Sequence, residues 1–210
     1  LKPGGARLCL QAPRSPGRAV GGGRVWAPPL AARGGLAQMC EIRVHAVTRR
    51  LARNFEGLFP GRDLLGEPHV VVTLAMQTQH RQTAMSAEMM EERQHRFRDL
   101  VERMAAFKER CDAAQRWCDF IDPSTGAPFH SDSATTLLEC DERYRSLGFE
   151  ILELGCCRAV CNEKFGQCLV MTSAFVQASA DEVSGDLAIL ERDSTVPAAI
   201  VEGTSTSAEP

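Results

Sequence analysis

Phe97, Leu100, Met104, Phe107 and Cys111 recur at intervals of three and four residues, and this stripe restricts the fold more than any other segment. Side chains at that spacing share one face of a helix, and an apolar face of this length must be buried against another layer. The remaining positions are rich in Glu and Arg and read as a solvated face. The layer it needs is available upstream. Residues 70–76 form a Val-rich apolar run, the pattern of a central strand. Cys40, Ile42, Val44 and Ala46 alternate with Glu41, Arg43 and His45, which predicts a half-buried strand. Between these two, Leu51, Phe55 and Leu58 stand at helical spacing, and Pro60-Gly61 ends the helix. A polar turn over 79–82 predicts a return through a strand at 83–90. Downstream, Asp119-Phe120-Ile121 runs into the strong turn chemistry of 122–126. A short helix is expected over 141–147, stopped by Gly148. Residues 156–160 and 167–175 read as two strands around a turn near 162–166. The class is therefore α+β: a mixed or antiparallel sheet with one long helix packed on it.

Charge divides the chain into three. Residues 1–40 carry six basic side chains and no acid, whereas 178–210 carry seven acids against Arg192 alone. The first stretch is also rich in Gly and Pro, the last in Ser, Thr and Ala. These biases predict a disordered basic arm at 1–39, a folded unit at 40–178 and a disordered acidic tail at 179–210. The Arg-rich arm fits either a mitochondrial presequence or an uninformative extension; its Pro and Gly content works against an amphipathic helix. A net charge of −3 provides no electrostatic case for nucleic-acid binding. The longest uncharged stretch, 165–180, is too short and too polar to span a bilayer.

Nine cysteines make an odd count, with no preceding signal-peptide core and no Asn-x-Ser/Thr sequon. A reducing compartment fits this better than a secreted disulfide scaffold. Cys111, on the apolar stripe, is expected to act as a small buried hydrophobe. Glycine-rich phosphate loops, His-Glu-x-x-His and Gly-x-Ser-x-Gly are all missing, and the five histidines are scattered.

One cluster remains: Gly155-Cys156-Cys157-Arg158, with Cys161 and Cys168 beyond it. Structural zinc sites use a Cys-x-x-Cys knuckle that converges two sulfurs on one ion, and adjacent cysteines do not. If the pair lies on a strand, one thiol faces the core and its neighbour the surface. Gly155 would permit close approach of a large ligand, and Arg158 would favour the thiolate of the outward cysteine. A thiolate suits a soft or borderline metal centre. The residues alone stop at a reactive or metal-ligating cysteine.

The run from Trp117 to Gly126, then Asp141 to Phe149, then Leu154-Gly155-Cys156-Cys157, resembles the methylmalonic aciduria and homocystinuria type D protein family, the cobalamin trafficking proteins CblD. The likeness extends from Cys40 through Asn54-Phe55-Glu56-Gly57-Leu58-Phe59-Pro60 to Phe175 and leaves both tails uncovered. It implies a fold like that of flavin-dependent nitroreductases, without bound flavin and without enzymatic activity. It also implies a role in cobalamin (vitamin B12) trafficking. The chain would accept cob(II)alamin from the processing protein CblC and direct it to cytosolic methionine synthase and mitochondrial methylmalonyl-CoA mutase. That places it in the cytoplasm, with the mitochondrion as a second address. By the resemblance, Cys156 ligates cobalt, Gly155 and Arg158 support it, and Cys157 packs inward. Asp122, Gly126, Asp141, Arg143 and Arg145 are expected to serve turns and helix caps. A flavin- or thiol-dependent oxidoreductase on the same fold is the alternative, and an interaction module without cofactor contact a third reading. The lack of a flavin-phosphate basic cluster in the folded unit counts against the oxidoreductase.

Overall fold

The computed structural model describes residues 39–155 and 157–191. Apart from Met39, the predicted basic arm lies outside the described residues, as does the tail beyond 191. A four-stranded antiparallel sheet organises what remains. Its strands are β1 (Cys40–Ala46), β2 (Val70–Gln77), β3 (Cys118–Phe120) and β6 (Leu169–Val176), in the order β1-β2-β6-β3. A separate antiparallel hairpin pairs β4 (Glu150–Glu153) with β5 (Arg158–Cys161).

Both central strands are buried along nearly their whole length, because both faces of the sheet are covered. On one face, Val70, Val72, Leu74 and Met76 of β2 and Val170, Ala174 and Val176 of β6 meet helix α2 (Ala87–Ala113) through Leu100, Met104, Phe107 and Cys111. The stripe read from the sequence is thus the buried face of α2. On the other face, Val71, Ala75, Met171 and Phe175 meet Phe55, Leu58, Tyr144 and Phe149. Covering two faces removes the usual reason for alternation, which is why the run at 70–76 is continuously apolar. β1 is an edge strand with partly buried residues, and its alternating sequence fits that position.

The second face is built from short pieces. Helix α1 (Arg49–Asn54) starts at Thr48, whose hydroxyl accepts from the Leu51 amide at 3.3 Å. It ends earlier than the spacing of Leu51, Phe55 and Leu58 predicts. Gly57 takes φ +79°, a left-handed value that interrupts a helix, so Phe55 and Leu58 reach the core from turns instead. Phe55 and Phe59 then meet Phe175 edge-on, at centroid distances of 5.0 and 4.8 Å. The expected short helix is a 3-10 helix, Glu142–Leu147, capped by Asp141 and stopped by Gly148. Its Tyr144 hydroxyl lies 3.1 Å from Ser173 Oγ, satisfying two buried polar groups at the centre of the sheet.

Three expectations are overturned. No strand forms over 83–90. Ser86 caps α2 by accepting from the Met89 amide, and Glu92, further along that helix, reaches back to hold the turn at Gln79 and His80. The strand expected from Cys156 begins instead at Arg158 and pairs with β4, not with β6. The folded region also continues past 178. Helices α3 (Ala180–Ser184) and α4 (Ala188–Glu191) bury Val183 and Leu190 against the α2 side of the sheet. A Ser179–Glu182 capping box starts α3, and Arg103 donates to the Leu190 carbonyl at 2.6 Å.

Candidate functional site

Gly155 and Cys157 lie at the tip of the β4–β5 hairpin. Ile151 and Val160 pair across it and are both buried in the core, so the base of the hairpin is anchored. The ladder runs one step beyond the last strand pair, Glu153 with Arg158, because the Leu154 amide donates to the Cys157 carbonyl at 2.9 Å. The chain therefore reverses between Leu154 and Cys157. Gly155 stands first after Leu154 with φ +82°, the conformation that a tight hairpin reversal demands at that point and that glycine adopts without strain. A side chain built there would meet nothing within 4 Å. Leu154, Gly155 and Cys157 are all exposed.

Cys156, expected to be the cobalt ligand, lies outside the described residues. Cys157 is exposed, which corrects the expectation that it packs inward. The physical reason is local: strand alternation assigns opposite faces only where a strand continues, and here it has already given way to a turn. Arg158 is also exposed, but it does not stand beside the cysteines as an isolated cation. Its guanidinium lies 3.2 Å from Glu153 Oε1 and 3.7 Å from Glu142 Oε1. The same Glu142 pairs with Arg145, which donates to the Ile151 carbonyl at 2.6 Å. This chain of charges ties the 3-10 helix to the hairpin and keeps its orientation relative to the core.

The other cysteines are placed differently. Cys161, at the end of β5, and Cys168, just before β6, are half-buried free thiols. Burial pushes both thiols up, and Glu150 adds to this at Cys161, so both favour the protonated form. Cys111 and Cys118 are buried together between α2 and β3. The contact with Cys111 and burial push Cys118 well above an ordinary thiol. Among the described residues, no group of three or more His, Cys, Asp or Glu side chains is arranged to hold a metal ion.

The polar residues of the motif runs serve local structure. Asp122 accepts from the Ser124 amide and hydroxyl at 2.8 and 2.7 Å, closing the turn that follows β3. Asp141 accepts from the Arg143 amide at 2.9 Å and from its guanidinium at 2.8 Å. Strand β4 was missed in the sequence. Its signal is Ile151 and Leu152 facing Ala159 and Val160 across a glycine-containing reversal, the pattern of a hairpin rather than of one strand.

The sequence model of the family described as methylmalonic aciduria and homocystinuria type D protein matches residues 35–186, which include the whole sheet, α2 and the hairpin. A rat protein named cobalamin trafficking protein CblD is 35% identical over 155 residues, 70% of this chain and 51% of the relative. Chicken and human proteins of the same name are 34% and 33% identical over 145 residues, 67% of this chain and 47% of each relative. The chain spans about half the length of the curated relatives it matches. With the matched region covering the sheet, the helix across it and the cysteine-bearing hairpin, the chain belongs to the methylmalonic aciduria and homocystinuria type D protein family.

Proposed function

We propose that this chain is a non-enzymatic cobalamin trafficking protein and that the β4–β5 hairpin tip is where it meets its cargo. The observation that supports this most directly is the tip itself. It lies inside the region matched by the family, projects from an anchored base, and has open space around Gly155. A corrin ring is broad and flat, and a glycine next to the thiol in an exposed turn removes one obstruction to its approach. In this reading the Cys156 thiol gives up its proton to solvent and the thiolate donates an electron pair to the cobalt of cob(II)alamin carried by CblC. A Co–S bond forms, the previous axial ligand leaves, and the cobalt oxidation state is unchanged. The cargo is then passed toward methionine synthase or methylmalonyl-CoA mutase, in the cytoplasm and the mitochondrion respectively. A nitroreductase-like arrangement that binds no flavin belongs to the same reading.

Electron paramagnetic resonance of cob(II)alamin with CblC, with and without this chain, tests it. The expected result is a new axial-ligand signal that requires the chain, is lost in Cys156→Ala and Cys156→Ser, and persists in Cys157→Ser. The same signal in all three variants overturns the thiolate assignment. A signal lost only in Cys157→Ser moves the ligand to the neighbouring cysteine.

A further inference from the structure

The four-stranded sheet has two edges, and the chain treats them differently. Beyond β3 it returns on itself: the Phe129 amide donates to the Phe120 carbonyl at 2.8 Å, and Ile121 bridges Pro128. The outer side of β1 has no such cover among the described residues. The Gln77 amide donates to the Met39 carbonyl at 3.0 Å and the Val47 amide to the His69 carbonyl at 2.8 Å, so the odd-numbered residues of β1 carry its hydrogen bonds to β2. The even-numbered residues Cys40, Ile42, Val44 and Ala46 therefore turn their amides and carbonyls to the open side. At Ile42, Val44 and Ala46, no hydrogen bond from another described residue reaches those groups. Lys164 donates to the Cys40 carbonyl at 3.0 Å, which leaves that oxygen a second lone pair. The side chains of Cys40, Ile42 and Val44 pack only partly against the α2 side, while Glu41 and Arg43 lie together on the other face of the strand. An edge of this kind is a template for a further strand.

We propose that the open edge of β1 pairs antiparallel with β1 of a second copy of this chain, about a twofold axis through Ile42. Backbone parity and charge together select this occupant and this register. A twofold antiparallel pair bonds outward residues only to outward residues. Centring it on Arg43 sets Arg43 directly against Arg43, and centring it on Glu41 sets the two acids against each other. Centring it on Val44 places Arg43 opposite His45, with no acid to meet it. Centring it on Ile42 opposes Glu41 to Arg43 of the second copy, twice, so the Glu-Ile-Arg run is complementary to itself. That register joins Ile42 to Ile42 and Cys40 to Val44, so its backbone bonds use the groups left outward, and it extends the partly covered apolar row on the α2 side. Within one copy, Glu41 takes an N–H each from Arg43 Nε and Nη2, and the Gly148 carbonyl takes one from Nη1. The second N–H of each terminal nitrogen remains for the acid opposite. A seven-residue edge is small for an interface, so the dimer is expected to be weak and concentration-dependent. The proposal uses β1 alone and stands apart from the cobalamin reading.

Sedimentation equilibrium of the full chain over a concentration series, with reductant present throughout to exclude disulfide-linked species, tests the proposal. Expected is a monomer–dimer equilibrium in which the dimer dominates by about 100 µM. Glu41→Arg and Arg43→Glu each set like charges opposite one another, and each alone is expected to dimerise at least tenfold more weakly. Mixed in equal amounts, the two variants are expected to associate as the parent does. The double variant Glu41→Arg/Arg43→Glu keeps a pair within the strand and is expected to dimerise by itself. Thermal melts establish that each variant is folded, and the double variant decides where a single one is not. A chain that stays monomeric at that concentration overturns self-pairing and leaves the edge to a strand of another protein. Dimerisation unmoved by both single changes, or losses that neither the mixture nor the double variant restores, overturns the contact through Ile42.

Discussion

The amide of Leu154 donates to the carbonyl of Cys157 at 2.9 Å, which carries the β4–β5 ladder one step past Glu153 and Arg158 and leaves Cys157 at the exposed end of the hairpin, beyond the part that packs on the core. Cys157 is exposed as a result. Replacing it with Ser should therefore change stability by less than about 0.5 kcal/mol, as for other surface positions. Urea unfolding of Cys157→Ser against the parent measures this. A loss of more than about 1 kcal/mol, the scale of a buried thiol replaced by an unsatisfied hydroxyl, would contradict the exposed placement.

Gly155 makes a different demand on the hairpin. Its φ of +82° is strained for any L side chain, while the space around it is open. Gly155→Ala should cost about 1–2 kcal/mol through backbone strain alone. Gly155→Asn should recover part of that, since Asn tolerates the left-handed region. Chemical denaturation of the pair checks both the size and the order. Equal stability of the Ala and Asn variants would mean that the left-handed backbone at this position is not the source of the cost.

Leu190 is fully buried although it stands in a stretch whose composition reads as a tail. Leu190→Ala should destabilise by about 2–4 kcal/mol, the usual cost of emptying a core site. Ending the chain at residue 178 should lower the melting temperature further, because Val183 is lost as well. A melt indistinguishable from the parent for Leu190→Ala would mean that α4 does not hold its place on α2.

Glu92 carries a pH-dependent contribution. Burial alone would raise its carboxyl, but the Gln79 amide at 2.7 Å, the His80 amide at 3.0 Å and the His80 ring at 2.8 Å hold it below its ordinary 4.5. A carboxyl depressed in the folded state contributes stability above its unfolded value and loses it as pH falls through the folded value. Glu92→Gln should therefore be less stable than the parent at pH 7, with the gap closing as pH drops below about 4.5. Denaturation at a series of pH values reads that gap. A gap that stays constant with pH would mean the carboxylate charge contributes nothing to the turn.

The elements legible in the sequence are those whose side-chain period survives folding unchanged. The stripe from Phe97 to Cys111 became the buried face of α2, and the run at 70–76 became β2, because burial on one or two faces is imposed residue by residue along a single element. Tertiary structure decided where distant parts of the chain compete for the same backbone. Residues 83–90 look like a returning strand, yet Glu92 holds the turn at 79–80 onto α2, and Ser86 caps the start of the helix in the middle of that stretch. The residues after Cys157 looked like a neighbour of β6, but β4, close by across the turn, is the strand that takes their hydrogen bonds. Composition placed 179–191 in a tail because it averages over charge. Val183 and Leu190, with Leu187 and Ile189 beside them, pack that segment against the α2 side of the sheet, and the surface that receives them exists only once α2 lies on the sheet. Alternation assigned Cys157 to the core, and the turn at Gly155, a reversal set by backbone hydrogen bonding rather than by side-chain pattern, turned it to solvent.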